Sequence, residues 1–334
     1  MQTTPTLKVL GPSLAGALAL TAATAHAQTQ NYPVKPVSII VPFSAGGDAD
    51  QSARNLMVTA QELLKQPIVI VNRPGANGAI GSQAVLAAPP DGYTLLLARV
   101  GSQAILPALK PPATLKYAWN DFTFIGLLEV NPVVCVVHPD SPYKTLSDLS
   151  KALKAQPGKL NYASSGPATV QNFAPQVLLQ SLKLKPDAAV GVQYKGGSEV
   201  AMAVLTRDVD FACNNLSSMA GNISGGKLRA LVTTTTERLK QFPSVPTASE
   251  EGHPDMEAVV GWSALYGPAR MEPEAVKRWV DVLNKAAADP RWITANGTYG
   301  GIPRVISPAE TEKFVNVSFN LYQKLGQKLG IDLN

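Results

Sequence analysis

Short apolar stretches alternate along the chain with longer ones whose apolar residues recur at helical spacing. The stretches at 37–41, 68–71, 94–98, 124–128, 133–137, 160–162, 190–194, 209–212 and 229–233 are predicted as strands. They are β-branched or otherwise apolar, and Gly, Pro or Asn flanks most of them. Helices are predicted between them at 49–64, 80–87, 145–155, 169–182, 198–206 and 217–224. Strands that alternate with helices build βαβ units, so the expected fold class is α/β with mostly parallel sheets. The last third differs, with two long helical patterns at 272–288 and 308–329, the first closed by Asp289-Pro290.

Composition fits a globular chain. The 334 residues are 45% hydrophobic and 16% charged, long enough for two domains. The 26 Gly and 27 Pro follow no period, which excludes collagen-like and low-complexity chains. Net charge is +5, and the 29 Lys and Arg are dispersed rather than gathered into a stripe. That pattern suits attraction of small anions, and no nucleic-acid partner is expected.

The N-terminus carries an address. Residues 1–8 hold one lysine and no acid, 9–23 are mostly apolar, and Ala25-His26-Ala27 has the small-x-small spacing of a signal-peptidase site. A cleaved signal peptide over 1–27 is expected, with export of a soluble mature chain. The apolar run falls short of the ~20 residues of a membrane span. Cys135 and Cys213 lie in apolar strand-like runs and read as small buried thiols; a single disulfide between them is the alternative in an oxidising compartment. Neither has metal-ligand spacing and the chain has only 3 His, so no metal or cofactor is expected.

Two strand-to-helix turns stand out as ligand sites, because open α/β sheets bind at the carboxyl ends of their strands. The first is Phe43-Ser44-Ala45-Gly46-Gly47-Asp48-Ala49-Asp50 after the 37–41 strand. Its glycines allow close backbone approach, and the N–H groups and dipole of the following helix favour an anionic oxygen. The second is Ser164-Ser165-Gly166-Pro167-Ala168-Thr169, whose hydroxyls can donate to a carboxylate. Ordinary helix capping would use the same residue types. Neither turn matches a phosphate loop or a dinucleotide fingerprint.

Several motifs stand in one order: Tyr32-Pro33, Val41-Pro42-Phe43 with Gly46-Gly47 and Asp50, Asn72-Arg73-Pro74-Gly75-Ala76, Pro90-Asp91-Gly92-Tyr93-Thr94-Leu95, Pro157-Gly158-Lys159-Leu160-Asn161-Tyr162, Tyr194-Lys195-Gly196, Gly226-Lys227-Leu228-Arg229-Ala230-Leu231 and Pro243-Ser244-Val245-Pro246-Thr247. Over essentially the whole mature chain this succession resembles the Bug, or TctC-like, family of periplasmic solute-binding proteins of tripartite tricarboxylate transporters. The resemblance implies a periplasmic binding protein-like fold, two doubly wound α/β domains around a central cleft. Domain one would comprise 28–129 plus 236–334 and domain two 130–235. It implies capture of a small di- or tricarboxylate, aromatic ones such as terephthalate included, by the two turns. Delivery by a monomer to the membrane subunits of the transporter follows, and signalling to a membrane sensor kinase is the alternative. Asn72-Arg73-Pro74-Gly75 reads as a structural loop.

The chain departs from the family pattern at residues that bear on the ligand. Asp48 replaces a small or hydroxyl residue; it either caps its helix from outside the pocket or meets a protonated ligand group. Asn172 stands where the family often has His. Arg99, at the end of an apolar strand, could pair bidentately with a distal carboxylate or form a surface salt bridge. Asn214 and Asn215 follow the 209–212 strand and replace the acid-amide pair common in the family, as neutral hydrogen-bond partners. Phe43, Phe173, Tyr194 and Trp262 are candidate wall aromatics. Catalysis is not expected: Ser164 with His138 or His253 lacks a nucleophile elbow and an orienting acid, and Glu250-Glu251 sits in a short polar stretch.

Overall fold

The computed structural model describes residues 1–4, 32–331 and 333. Residues 32–334 form one compact unit, set apart from the preceding segment. The expected signal peptide falls mostly on residues outside those described. Every strand and helix below belongs to the 32–334 unit.

Eleven strands are present among the described residues. In chain order they are β1 (Val37–Val41), β2 (Ile68–Asn72), β3 (Thr94–Arg99), β4 (Thr123–Asn131), β5 (Val133–Val137), β6 (Asn161–Ser164), β7 (Val190–Gln193), β8 (Phe211–Asn215), β9 (Arg229–Thr233), β10 (Gly261–Gly267) and β11 (Ile302–Ile306). They build a six-stranded sheet, β11-β4-β10-β3-β1-β2, and a five-stranded sheet, β7-β6-β8-β5-β9. The chain passes from the first sheet to the second through Pro132 and returns between β9 and β10.

The nine expected strands are all found. The sheets are mixed rather than mostly parallel, because each takes in strands from a chain that has just crossed over or come back. β1 runs parallel to β2 and β3, while β10 is antiparallel to β3 and β4. β6 runs parallel to β7 and β8, while β5 is antiparallel to β8 and β9. β10 and β11 are additions to the expected set. β10 was readable as an apolar run bounded by glycines, and all seven of its residues are buried. β11 contains Pro303 and sits at a sheet edge, where proline is tolerated. Asp289-Pro290 ends one helix as expected but also starts another, Pro290–Thr298, with Asp289 accepting from the Arg291 N–H at 2.8 Å.

Helix faces explain the packing. In helix Asp48–Leu64 the buried Ala49, Ala53, Leu56, Ala60 and Leu64 recur at three- and four-residue intervals and face the first sheet's Val37, Ile39 and Val41. The C-terminal helix Pro308–Leu329 joins the two sheets' helices: its Tyr322 meets Phe173 edge to face at 5.2 Å between centroids. Its Ser318 accepts from the Trp262 indole at 3.1 Å. Phe173 and Trp262 are therefore core residues, and Tyr194 packs partly buried against the second sheet's helices.

The reading of Cys135 and Cys213 as thiols is corrected. They face each other in register on the antiparallel pair β5 and β8, 3.9 Å apart at Cα, and form a disulfide. The bond closes a span of 78 residues. Closure of so long a loop restricts the unfolded chain, so replacing both cysteines by alanine should lower unfolding free energy by ~2–4 kcal/mol. Urea unfolding of the double variant checks this, and an unchanged midpoint would remove the bond from the stability balance.

Candidate functional site

The carboxyl ends of β1, β3, β6 and β8 converge on one polar cavity of about 20 Å³. Its walls include Phe43, Asp48, Arg99, Ser165, Thr169 and Asn215 of the expected site, joined by Val100, Gly101, Val170, Gln171 and Gly197. Four helices begin at this wall: Asp48–Leu64, Val170–Ser181, Gly197–Leu205 and Leu216–Ser224, the last with Asn215 as its N-cap. A fifth helical run begins at Gly101. Each start leaves backbone N–H groups without intrahelical partners and carries the positive end of a dipole, so the wall favours negative charge.

The first turn is held by Asp50. Gly46 adopts φ +75°, a left-handed conformation open to glycine, and its N–H donates to Asp50 Oδ2 at 2.9 Å. Arg54 donates to the same carboxylate at 2.8 Å and Asn72 to its other oxygen at 3.1 Å. These bonds set the Asp50 carboxyl below its usual range, against the opposing effect of burial. Asn72 also donates to the Phe43 carbonyl at 3.2 Å, so the Asn72 loop braces this turn, as expected of a structural loop.

The second turn is likewise self-braced. Ser164 Oγ donates to the Gly166 carbonyl at 2.9 Å and Thr169 Oγ1 donates to the same oxygen at 2.7 Å. Asn172 accepts from Tyr162 at 2.6 Å and donates to the Pro167 carbonyl at 3.1 Å, fixing the turn from behind. Asn214 accepts from Gln171 at 2.9 Å and donates to the Gly197 carbonyl at 3.0 Å. Ser44, Ala45, Gly46, Gly47, Asp50, Ser164, Gly166 and Asn214 thus surround the cavity wall without forming it.

The charged centre is a buried set of three. Arg99 pairs with Asp48, donates to Ser263 Oγ and lies 3.9 Å from Glu129. Arg99, Asp48 and Glu129 are 3%, 6% and 3% exposed, so the surface salt bridge is excluded and Asp48 faces the cavity. Ser263 donates to Glu129 at 2.9 Å and Asn131 donates to it at 3.1 Å. Burial raises the Glu129 carboxyl above its usual range, and the Asp48 charge adds to that rise; Arg99, Ser263 and Ser52 oppose it.

Asp48 also ties the two sheets together. Asn215 donates to its Oδ2 at 2.7 Å, and the Asp48 N–H donates to Ser218 Oγ at 3.0 Å. The approach requires glycine at 197, where a Cβ would lie 2.6 Å from Ser218 Oγ and 2.9 Å from Asp48 Oδ1. Sequence reasoning singled out Arg99 and Asp48 but not their pairing, nor Glu129, Ser218 and Ser263. The groups weighed for catalysis are engaged elsewhere. His253 bonds Ser181 at 2.7 Å, His138 accepts from the Asp140 N–H at 3.1 Å, and Glu250 binds Arg238 at 2.9 Å.

A polar cavity at the strand ends of two mixed α/β sheets, ringed by helix starts, is a small-ligand site, and the family match below makes the class a solute-binding protein. Residues 52–331 match the family of tripartite tricarboxylate transporter receptors, and the chain belongs to that family. The resemblance seen in the sequence is thereby met, and the family is one of receptors rather than enzymes. A protein from the tcbD-tcbE intergenic region of Pseudomonas sp. (strain P51) is 33% identical over 90% of this chain and 91% of its own. The periplasmic binding protein BugD is similar in structure, with TM-score 0.85 and 27% identity over 90% of this chain and 99% of its own. MatC from Rhodopseudomonas palustris, solved with bound malate, gives TM-score 0.82 and 28% identity over 88% and 99% of the two chains.

Removing the Arg99 guanidinium strands two buried carboxylates. Arg99→Ala should therefore cost ~3–5 kcal/mol of stability without any ligand, measured by urea unfolding at pH 7. A loss below ~1 kcal/mol, the value of an exposed pair, would contradict the buried set. Glu129 gives a pH test. Its folded-state affinity for a proton exceeds that of the unfolded chain, so its contribution is greatest at low pH and is lost as pH rises through the raised value. Glu129→Gln should lack that loss and gain on wild type as pH rises above the usual carboxylate range; a constant difference over that rise would show an ordinary carboxylate.

Proposed function

We propose that this protein captures a small organic carboxylate in the periplasm and delivers it to the membrane subunits of a tripartite tricarboxylate transporter. Export would be directed by the 1–27 leader, which is then cleaved, and the protein would act as a monomer without a cofactor. The carboxylate would be of the di- or tricarboxylate size that malate represents in MatC. The observation that carries this reading is the convergence of helix starts from both sheets on one buried polar cavity. Phe43, Asp48, Arg99, Ser165, Thr169 and Asn215 would touch the ligand, and the remaining residues of the two turns would hold them in place.

The domains would be 28–129 with 236–334, and 130–235, hinged where the chain crosses between sheets. Two facts support a moving hinge. The cavity of about 20 Å³ holds little more than a water, and contacts such as Asn215 to Asp48 cross it. An organic acid enters only if these walls part, so an open form must be visited and the ligand would close it again.

A thermal-shift series with malate-sized acids and their full amides tests the reading. An acid at 100 times its dissociation constant should add ~2.7 kcal/mol of stability, and the amides should add little. Solution scattering should show a smaller radius of gyration with the acid than without. Absence of a shift with every acid would overturn carboxylate capture, and equal radii would overturn closure.

A further inference from the structure

The cavity has two chemically different ends. One is the turn Ser165 to Thr169 with the first helical residues Val170 and Gln171, where hydroxyls and a helix start face the cavity. Only donors and a positive dipole end are needed to seat one carboxylate there. The other end is made by Arg99, Asp48 and Asn215.

Arg99 is the one cation among the cavity-lining residues, and its charge is already spoken for. Asp48 is paired with it, and Glu129 stands 3.9 Å away on its far side. A second ligand carboxylate at this end would join two acids around a single guanidinium in a site under a tenth exposed. Unpaired like charge of this kind is how a site rejects a ligand. Asp48 meanwhile keeps acceptor capacity. Its Oδ2 receives Arg99 and Asn215, but its Oδ1 has only Ser218 Oγ, at 3.5 Å. An ionised carboxylate has about four lone-pair positions, so donors can still be received.

We infer that the preferred ligand carries one carboxylate and, at its other end, a hydrogen-bond donor such as an ammonium or amide group, and that Asp48 is the residue that selects the donor. The inference rests on the proposed carboxylate capture and replaces the second carboxylate of a di- or tricarboxylate by a donor group of similar reach. It reverses the role expected for Arg99: the guanidinium orients Asp48 instead of reaching for a distal carboxylate.

The test uses a matched four-carbon set, succinate, its monoamide succinamate, and 4-aminobutyrate, titrated calorimetrically into wild type and Asp48→Asn. In wild type the two donor-bearing acids should bind at least about tenfold tighter than succinate, a difference of about 1.4 kcal/mol. Asp48→Asn should shrink or invert that ratio, mainly through weaker 4-aminobutyrate and stronger succinate. The wild-type order alone decides even where the variant folds poorly. Succinate equal to or tighter than both others, or an order that survives Asp48→Asn, would overturn the inference while leaving carboxylate capture intact. Failure of all three to bind, as well as every acid of the thermal-shift series, would overturn both.

Discussion

The pairing of Arg99 with Asp48 inside a ring of helix starts is the constraint on which the site depends. Four helix N-termini, each equivalent to roughly half a positive charge, would make a strongly electropositive hollow if left alone. Asp48 puts a carboxylate at one of these starts and Arg99 compensates it, so the pair costs little net charge and fixes two side chains. Such a pair is weak as a source of stability, because desolvation offsets most of its Coulomb attraction. Its effect is geometric. With Oδ2 held by Arg99 from the same sheet and by Asn215 from the other, Asp48 fixes the approach of the two sheets at the cavity.

Glu129 fits the same balance. It lies behind Arg99 among Ser263, Asn131 and the cation, away from the cavity wall, and its raised proton affinity lowers the charge the guanidinium must compensate. The helix start at the Thr169 end faces no paired acid, while at the other end Asp48 and Arg99 offset each other and leave acceptor positions on Asp48. One pocket so acquires an asymmetry that its overall positive setting conceals.

Much of this was legible in the sequence because it is local. The strand at 94–98 is a continuous apolar run, and its carboxyl end had to bring Arg99 near the ligand side of the sheet. Gly46-Gly47 before an acidic helix start announced a tight turn, and Gly46 does take the left-handed conformation. What escaped was non-local. Asp48 and Arg99 are 51 residues apart, and Ser263 is 164 from Arg99; only the sheet order brings them together. The Cys135–Cys213 bond stayed an alternative for the same reason, since both runs read correctly as buried strands but nothing in either gives their antiparallel register.

The missed β10 shows how one non-local element matters to chemistry. It inserts between β3 and β4 and places Ser263 opposite Arg99 in register on one side and opposite Glu129 on the other. A hydroxyl there can accept from the guanidinium and donate to the carboxylate at once, bridging strands that do not themselves pair. Without that bridge Arg99 would have one buried partner and a choice of rotamers. With it, the guanidinium is held among Ser263, Asp48 and Glu129 at the cavity wall, which is why a cation at a strand end need not be the group that reads the anion.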